Sequence, residues 1–142
     1  MKRIVVIVLA VIAIAMAPNG PLAMDWHPGG HLCVLFKNGS VAVVDEITKR
    51  RLVTIPPTYA MEPVEIVSAK LKDRQYVFVS GFSGRSGVIY QYTAEGKPYA
   101  KFATPEEAAS FDIDPGTSRS GRRLLYMASS VTNAVYAIDL DQ

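Results

Sequence analysis

The sequence repeats one pattern three times: an apolar strand, a Pro-Gly turn, a second apolar strand and a short hairpin. The clearest copies run from Leu32 to Pro56 and from Leu124 to Leu140. Short apolar runs bounded by turn residues predict an all-β fold made of similar antiparallel units. Such a scaffold carries its chemistry in a few loop residues, so the pattern predicts an architecture and not an activity.

Apolar runs of four to seven residues follow one another from about Pro21, separated by Gly, Pro, Asn and Asp. The Asn38-Gly39 pair between two such runs is the strongest hairpin signal, because both residues tolerate a positive φ. Thr104 to Glu107 has the signature of a helix start, which predicts at most one helical turn. The runs give eleven predicted strands: residues 22–26, 32–36, 41–46 and 51–55 in the first unit; 64–69, 76–80, 88–93 and 98–102 in the second; 109–113, 124–128 and 134–140 in the third.

Several segments carry a family likeness. Val41 to Pro56 resembles the strand–turn–strand element of YVTN-type β-propeller repeats, and Ser130 to Asp139 resembles the same element. Val88 to Lys97, and Phe102 to Pro105 followed by Phe111 to Gly116, are similar to the related NHL-type repeats. The resemblance implies a partial β-propeller of about three four-stranded antiparallel units, the last one incomplete. It implies no single activity, because these repeats occur in binding proteins, quinoprotein-like dehydrogenases, lactone hydrolases and lyases.

The number of units is small for a closed ring. Propellers close with about four to eight blades, so a chain of three units leaves two sheet edges unpaired. Either copies of the chain associate to close the ring, or the chain is a fragment of a longer protein, or the sheet is covered in another way. The units also differ: Asp45 and Asp139 end the third strand of their units, whereas Tyr92-Thr93 stand there in the second.

The N-terminal segment predicts export. Lys2 and Arg3 precede the apolar run Ile4 to Ala17, which ends in small residues, as secretory signal peptides do. The run is shorter than the roughly 20 residues of a membrane-spanning helix. We therefore divide the chain into a signal peptide at 1–17 and a partial propeller at 18–142, and expect a secreted or periplasmic protein. The alternatives are an uncleaved segment that attaches the protein to a membrane, and a strand of the fold itself, because Ile4 to Ile14 is rich in β-branched residues.

Charge and cysteine content exclude some classes of function. Lys2 and Arg3 account for the whole net charge of +2, so the remainder of the chain is neutral. Nucleic-acid binding needs clustered Lys and Arg, so we expect no nucleic-acid partner. Cys33 is the only cysteine. Its place in an apolar run predicts a buried side chain and not a nucleophile.

Arg85 and Asp112 are two of the three candidate ligand-binding residues. Arg85 lies in the glycine-rich stretch Gly81 to Gly87, which either presents backbone amides to an anion or only turns a long hairpin. Asp112 shares a strand face with Asp114 and could share a cation or a proton with it. Asp114 is instead favoured as the turn-forming residue before Pro115-Gly116.

Arg119 is the third candidate. It belongs to the segment Thr117 to Arg123, whose three arginines form a local positive cluster and either contact an acidic partner or remain solvated. His27 and His31 have a spacing that would suit a metal on a helix, but Pro28-Gly29-Gly30 interrupts any helix, so we expect no metal there.

No catalytic constellation is recognisable, so we assign no catalytic residue, metal or cofactor. The leading hypothesis is an exported, non-catalytic β-propeller-like module that binds a protein or a small ligand through its inter-strand loops. The alternative is a fragment or subunit of a propeller enzyme, of the lactone hydrolase or lyase type, with a metal on the central axis.

Overall fold

The structure is a computed structural model that describes residues 20–27, 30–57, 62–104, 111–129 and 133–141. Within these ranges the chain forms eleven β-strands and no helix, so none of them contains a helix able to cross a membrane. The strands are β1 (Pro21–His27), β2 (His31–Phe36), β3 (Val41–Asp45), β4 (Arg51–Ile55), β5 (Glu62–Leu71), β6 (Arg74–Ser83), β7 (Ser86–Thr93), β8 (Pro98–Ala103), β9 (Phe111–Thr117), β10 (Arg123–Ser129) and β11 (Ala134–Asp139).

The strands form three antiparallel sheets, which confirms the all-β prediction and the grouping into units of four, four and three strands. Sheet 1 has the order β1-β2-β3-β4, sheet 2 the order β5-β6-β7-β8, and sheet 3 the order β9-β10-β11. The first strands of the three sheets lie side by side, because β5 contacts both β1 and β9. The arrangement is consistent with propeller-like blades.

The predicted turn at Asp114-Pro115-Gly116 is wrong. These residues lie inside β9, where Asp114 pairs with Tyr126 and the ladder continues to Thr117 and Arg123. Strand β9 is an edge strand of sheet 3, and an edge strand accommodates proline because only one side of it must supply N–H donors. The actual turn follows β9, where Ser118 N–H donates to the Arg122 carbonyl at 2.8 Å.

The long hairpin predicted in the second unit is also shorter than expected. Strand β6 continues to Ser83 and β7 begins at Ser86, which leaves Gly84 and Arg85 as a two-residue turn. Gly84 has a φ of +64°, so it is the glycine that the turn requires. The helical turn predicted at Thr104 to Glu107 falls largely outside the described residues.

Two apolar layers join the sheets, because alternate side chains of the middle sheet point to opposite neighbours. The first layer, between sheets 1 and 2, contains Cys33, Leu35, Val41, Val43, Ile55, Ile66, Val77, Val79 and Tyr92. The second, between sheets 2 and 3, contains Leu71, Tyr76, Phe78, Ile89, Ile113, Leu125, Met127 and Leu140. Sheet 2 therefore supplies both of its faces to the core.

Two carboxylates tie the first strands of neighbouring sheets together. The Asp25 carboxylate on β1 accepts the backbone N–H of Ser68 on β5 at 2.7 Å. The Glu65 carboxylate on β5 accepts the backbone N–H of Ile113 on β9 at 3.1 Å. These side chains satisfy backbone donors that face a neighbouring sheet and have no ladder partner there.

Candidate functional site

The structure does not bring the three predicted ligand-binding residues together. Arg85 lies in the turn between β6 and β7, and Asp112 is the second residue of β9. Both positions are at the end of the sheets where the first strands begin. Arg119 follows β9, at the opposite end of the strands. One small ligand therefore cannot contact Arg119 together with Arg85.

The glycine-rich stretch around Arg85 is not an anion cradle. Gly81 pairs with Val88, and Gly87 pairs with Phe82, so these glycines belong to the β6–β7 ladder. A phosphate-binding loop needs successive amides that converge on one point, which a regular ladder does not provide. Arg85 is exposed at the tip of this hairpin and forms no ion pair with any described residue.

The arginine cluster is largely neutralised by the C-terminal aspartates. Arg122 forms an ion pair with Asp139, and the Arg123 Nε donates to Asp141 Oδ1 at 2.6 Å. These hydrogen bonds raise the pKa of each arginine and lower the pKa of each aspartate. In the described part of the chain Arg119 is then the one arginine of this segment without an ion pair, so the cluster does not form a positive patch.

A groove of about 470 Å³ lies at the end of sheet 2 where β5 and β7 finish. It is bounded by the β5–β6 turn on one side and by the β7–β8 turn on the other. Its volume falls in the range of small-molecule and peptide side-chain sites. The lining residues are Lys70, Asp73, Arg74, Gln75, Tyr76, Thr93, Ala94, Glu95 and Tyr99.

An aromatic pair forms the apolar part of this groove. The rings of Tyr76 and Tyr99 lie with centroids 5.1 Å apart and planes inclined by 58°. Tyr76 is buried, whereas Tyr99 keeps 46% of its surface exposed. Tyr99 is therefore the accessible ring of the groove, and the buried Tyr76 ring supports it from behind, an arrangement suited to an apolar or aromatic group of a ligand.

The rim of the groove carries both signs of charge. Lys70 and Arg74 contribute positive charge, and Asp73 and Glu95 contribute negative charge. The Thr93 hydroxyl donates to the Glu95 carboxylate and lowers its pKa, so Glu95 is ionised at neutral pH. A rim of mixed charge favours a ligand that itself carries charges of both signs or several polar groups.

Two further titratable features lie in sheet 1, outside the groove. Cys33 is fully buried in the first layer, where desolvation raises its pKa to about 11, as expected for an inert thiol. His31 Nδ1 lies 3.8 Å from Asp45 Oδ2, while the Asp45 carboxylate accepts hydrogen bonds from the following turn. Among the described residues no three His, Cys, Asp or Glu side chains come close enough to hold one metal ion.

Comparison with known proteins adds no family to these observations. Neither a scan against models of protein families nor a search of curated proteins finds a match to this chain. The resemblance to YVTN and NHL repeats therefore stays a prediction.

Sequence reasoning missed the groove. Tyr76 and Tyr99 are on β6 and β8, and the intervening strand β7 sets their distance through its pairing with both. A register shift between Gln91 and Tyr92 also fixes the position of β8. No local pattern in the sequence encodes such a register, so two tyrosines 23 positions apart gave no signal.

Proposed function

We propose that this protein is an exported, non-catalytic, β-propeller-like module, secreted or periplasmic, that binds a partner in the groove at the end of sheet 2. The observation that carries the proposal is the Tyr76–Tyr99 pair inside a rim of mixed charge. The proposal of export is supported by the sequence of residues 1–17. The proposal of a propeller-like fold is supported by the three side-by-side antiparallel sheets.

The groove fits a short peptide segment better than a simple anion. Its apolar wall is the exposed part of the Tyr99 ring, held against the buried Tyr76, and such a ring can bury an aromatic or aliphatic side chain at low entropic cost. Its rim carries two basic and two acidic side chains, so a single negative charge meets as much repulsion as attraction. A peptide offers an apolar side chain for Tyr99, together with backbone polar groups and charged neighbours of either sign for the rim.

Saturation-transfer NMR with defined dipeptides tests this proposal. The probes are Lys-Phe, Glu-Phe, Lys-Leu and Glu-Leu, each added to the full chain. We expect saturation of the Phe or Leu side-chain protons, and we expect Tyr99→Ala to abolish it because the accessible wall of the groove is removed. Tyr126→Ala is the matched control, because Tyr126 is a tyrosine of similar exposure on the far face of sheet 3. Absence of saturation for all four probes, or equal loss in both variants, would show that the groove is not the binding site.

A further inference from the structure

Strand β8 is an edge of sheet 2, and no other strand among the described residues pairs with its outer side. This edge begins at the groove, because Tyr99 is the second residue of β8 and also lines the groove. An edge strand presents a row of backbone N–H and C=O groups with which another extended segment can pair. The groove and the β8 edge therefore form one continuous surface.

The ladder between β7 and β8 determines which backbone groups of β8 face outward. The Thr104 N–H donates to the Gly87 carbonyl at 3.0 Å, so these opposite residues form a hydrogen-bonded pair. Hydrogen-bonded and non-hydrogen-bonded pairs alternate along an antiparallel ladder. Ala103 and Lys101 therefore form non-hydrogen-bonded pairs with β7, and their N–H and C=O groups point to the outer edge. The edge thus offers a regular array of donors and acceptors.

The start of β8 agrees with this pattern. The Thr93 N–H donates to the Lys97 carbonyl at 2.9 Å, so beyond the register shift Pro98 also occupies a non-hydrogen-bonded position. Proline fits there because its nitrogen faces away from the ladder. The shift places Tyr99 on the face of sheet 2 that carries Tyr76, since the two ring centroids are 5.1 Å apart. The accessible ring of the groove therefore lies directly beside the open edge.

The two faces of β8 differ in chemistry. Lys101 lies on the face opposite to Tyr99, because its Nζ is 5.5 Å from the centre of the Tyr90 ring, and Tyr90 packs against the first layer. Lys101 is exposed and forms no ion pair with any described residue. Successive side chains of a strand point to opposite faces. A strand added to β8 is therefore matched when it carries an apolar residue directly next to an acidic one.

We propose that the partner peptide pairs with β8 as an added antiparallel strand of sheet 2, with an acidic residue opposite Lys101 and the following apolar residue against Tyr99. The proposal rests on the peptide-binding function proposed for the groove, and it adds the conformation and the sequence pattern of the ligand. In this mode of recognition the main-chain hydrogen bonds supply affinity and alternate side chains supply specificity.

A second copy of β8 is a poorer occupant of this edge. Antiparallel pairing of two β8 strands brings the Lys101 ammonium groups of both copies to one face of the combined sheet, where like charges at opposite positions are destabilising. Lysine on an edge strand is one of the features that discourage self-association of sheets. An acidic residue of a different chain turns the same charge into an attraction. The charge on the edge therefore favours an acidic peptide over a copy of this chain.

Amide hydrogen exchange of the full chain, followed by NMR with and without the peptide Ac-Thr-Val-Glu-Phe-NH2, tests the added strand. In this peptide Glu pairs with Lys101 and Thr pairs with Ala103. We expect exchange of the Lys101 and Ala103 N–H groups to slow about tenfold or more at saturating peptide. Exchange of the Ala100 and Phe102 N–H groups, which already bond to β7, should change little and is the internal control. This alternation is specific to strand pairing.

Variants of the peptide and of the chain test the hydrogen bonds and the charge. N-methylation of the Glu nitrogen removes the donor to the Lys101 carbonyl and should weaken binding about tenfold. N-methylation of the Val nitrogen, which points away from β8, should weaken it less. Lys101→Glu should reverse the preference for Ac-Thr-Val-Glu-Phe-NH2 over Ac-Thr-Val-Lys-Phe-NH2. Lys37→Glu, at an exposed position next to β2, is the matched control and should keep the preference.

The outcomes separate this inference from the proposed function. If the peptide Phe protons show saturation transfer that Tyr99→Ala abolishes, but Lys101 and Ala103 exchange as in the free chain, the groove binds the peptide and the inference alone is wrong. It is also wrong if all four β8 amides slow equally, if the two N-methylated peptides bind equally, or if the dipeptides bind and the tetrapeptide does not. If neither the dipeptides nor the tetrapeptide binds, both proposals are wrong.

Discussion

Asp45 closes the turn after β3 through three hydrogen bonds to one carboxylate oxygen. Oδ1 accepts the backbone N–H of Ile47 at 3.1 Å, the backbone N–H of Thr48 at 2.6 Å and the Thr48 hydroxyl at 2.8 Å. In sheet 3 Asp139 plays a similar part, because its carboxylate accepts the Asp141 N–H at 3.0 Å. Thr93 replaces aspartate in sheet 2, and its hydroxyl accepts the Lys97 N–H at 3.3 Å. The replacement of aspartate by Thr93 in the second unit therefore preserves a side-chain hydrogen bond that closes the turn after β7.

Ionisation of Asp45 in this turn should make the free energy of unfolding depend on pH in the acidic range. Hydrogen bonds from Thr48 lower the pKa of Asp45 below its ordinary value of 3.8. A lowered pKa stabilises the fold above pH 3.8, and this contribution is lost as the pH falls below that value. We expect the free energy of unfolding, measured by urea denaturation between pH 5 and pH 3, to fall less steeply in Asp45→Asn. An unchanged slope in Asp45→Asn would contradict this interpretation.

Ionisation of the buried Cys33 thiol should lower the stability of the fold at alkaline pH. Burial raises its pKa from 9.0 to about 11, so the folded state favours the neutral thiol. The stabilisation is complete below pH 9 and disappears as the pH rises through 11, an effect on the order of 2 kcal/mol. Cys33→Ala should remove this part of the slope in urea denaturation between pH 8.5 and pH 11. Tyr92, whose pKa burial raises to about 12, retains its own contribution in both proteins. Parallel slopes for the variant and the wild type would show that Cys33 ionises normally.

The elements show which sequence signals are reliable. Within the described residues, alternating apolar residues predicted the number and order of strands correctly, because alternation reflects the two faces of one strand and is a local property. The Asn38-Gly39 turn was also predicted correctly: Gly39 has a φ of +82°, and Asn38 Oδ1 accepts the Ser40 N–H at 3.0 Å. Pro115 and Gly87 were misread because turn-favouring residues also occur inside strands, at a sheet edge or where two backbones approach closely. Which use applies depends on neighbours that are distant in sequence.

Gly87 is the clearest example of a glycine that a strand requires. A single added methyl group at this position should lower the free energy of unfolding strongly. A Cβ at Gly87 would lie 2.1 Å from Thr104 Oγ1 and 3.2 Å from Thr104 Cβ. The Thr104 N–H donates to the Gly87 carbonyl at 3.0 Å, so the two residues cannot separate easily. We expect Gly87→Ala to lower the free energy of unfolding by about 1–3 kcal/mol through overpacking.

Gly116→Ala is the control for that measurement. Gly116 also lies inside a strand, but its Cβ would meet nothing within 4 Å. The substitution should leave stability unchanged or raise it by about 0.4–1 kcal/mol, because alanine restricts the unfolded chain. Thermal and urea denaturation of both variants would check the pair. Equal effects would mean that loss of glycine flexibility, and not contact with Thr104, determines the result at position 87.

At the scale of the whole molecule, sheet 2 is the element on which the other two depend. Its two faces form both apolar layers, and its first strand takes part in both carboxylate bridges. Sheets 1 and 3 each have one partner sheet among the described residues. Loss of either interface therefore exposes one face of sheet 2 to water and weakens the packing of sheet 2 against the remaining sheet. We therefore expect the domain to unfold as one unit.

The carboxylate bridges test this expectation. Asp25→Ala leaves the Ser68 N–H without its acceptor between sheets 1 and 2, and Glu65→Ala does the same to Ile113 between sheets 2 and 3. Each substitution should cost about 1–3 kcal/mol, the penalty for an unsatisfied donor that had a charged partner. Asp114→Ala, an exposed carboxylate on β9, should cost little. In calorimetry each bridge variant should show a single transition at a lower temperature, because sheet 2 couples the two interfaces. Two separate transitions in either variant would mean that the sheets unfold independently and that the three units do not form one cooperative domain.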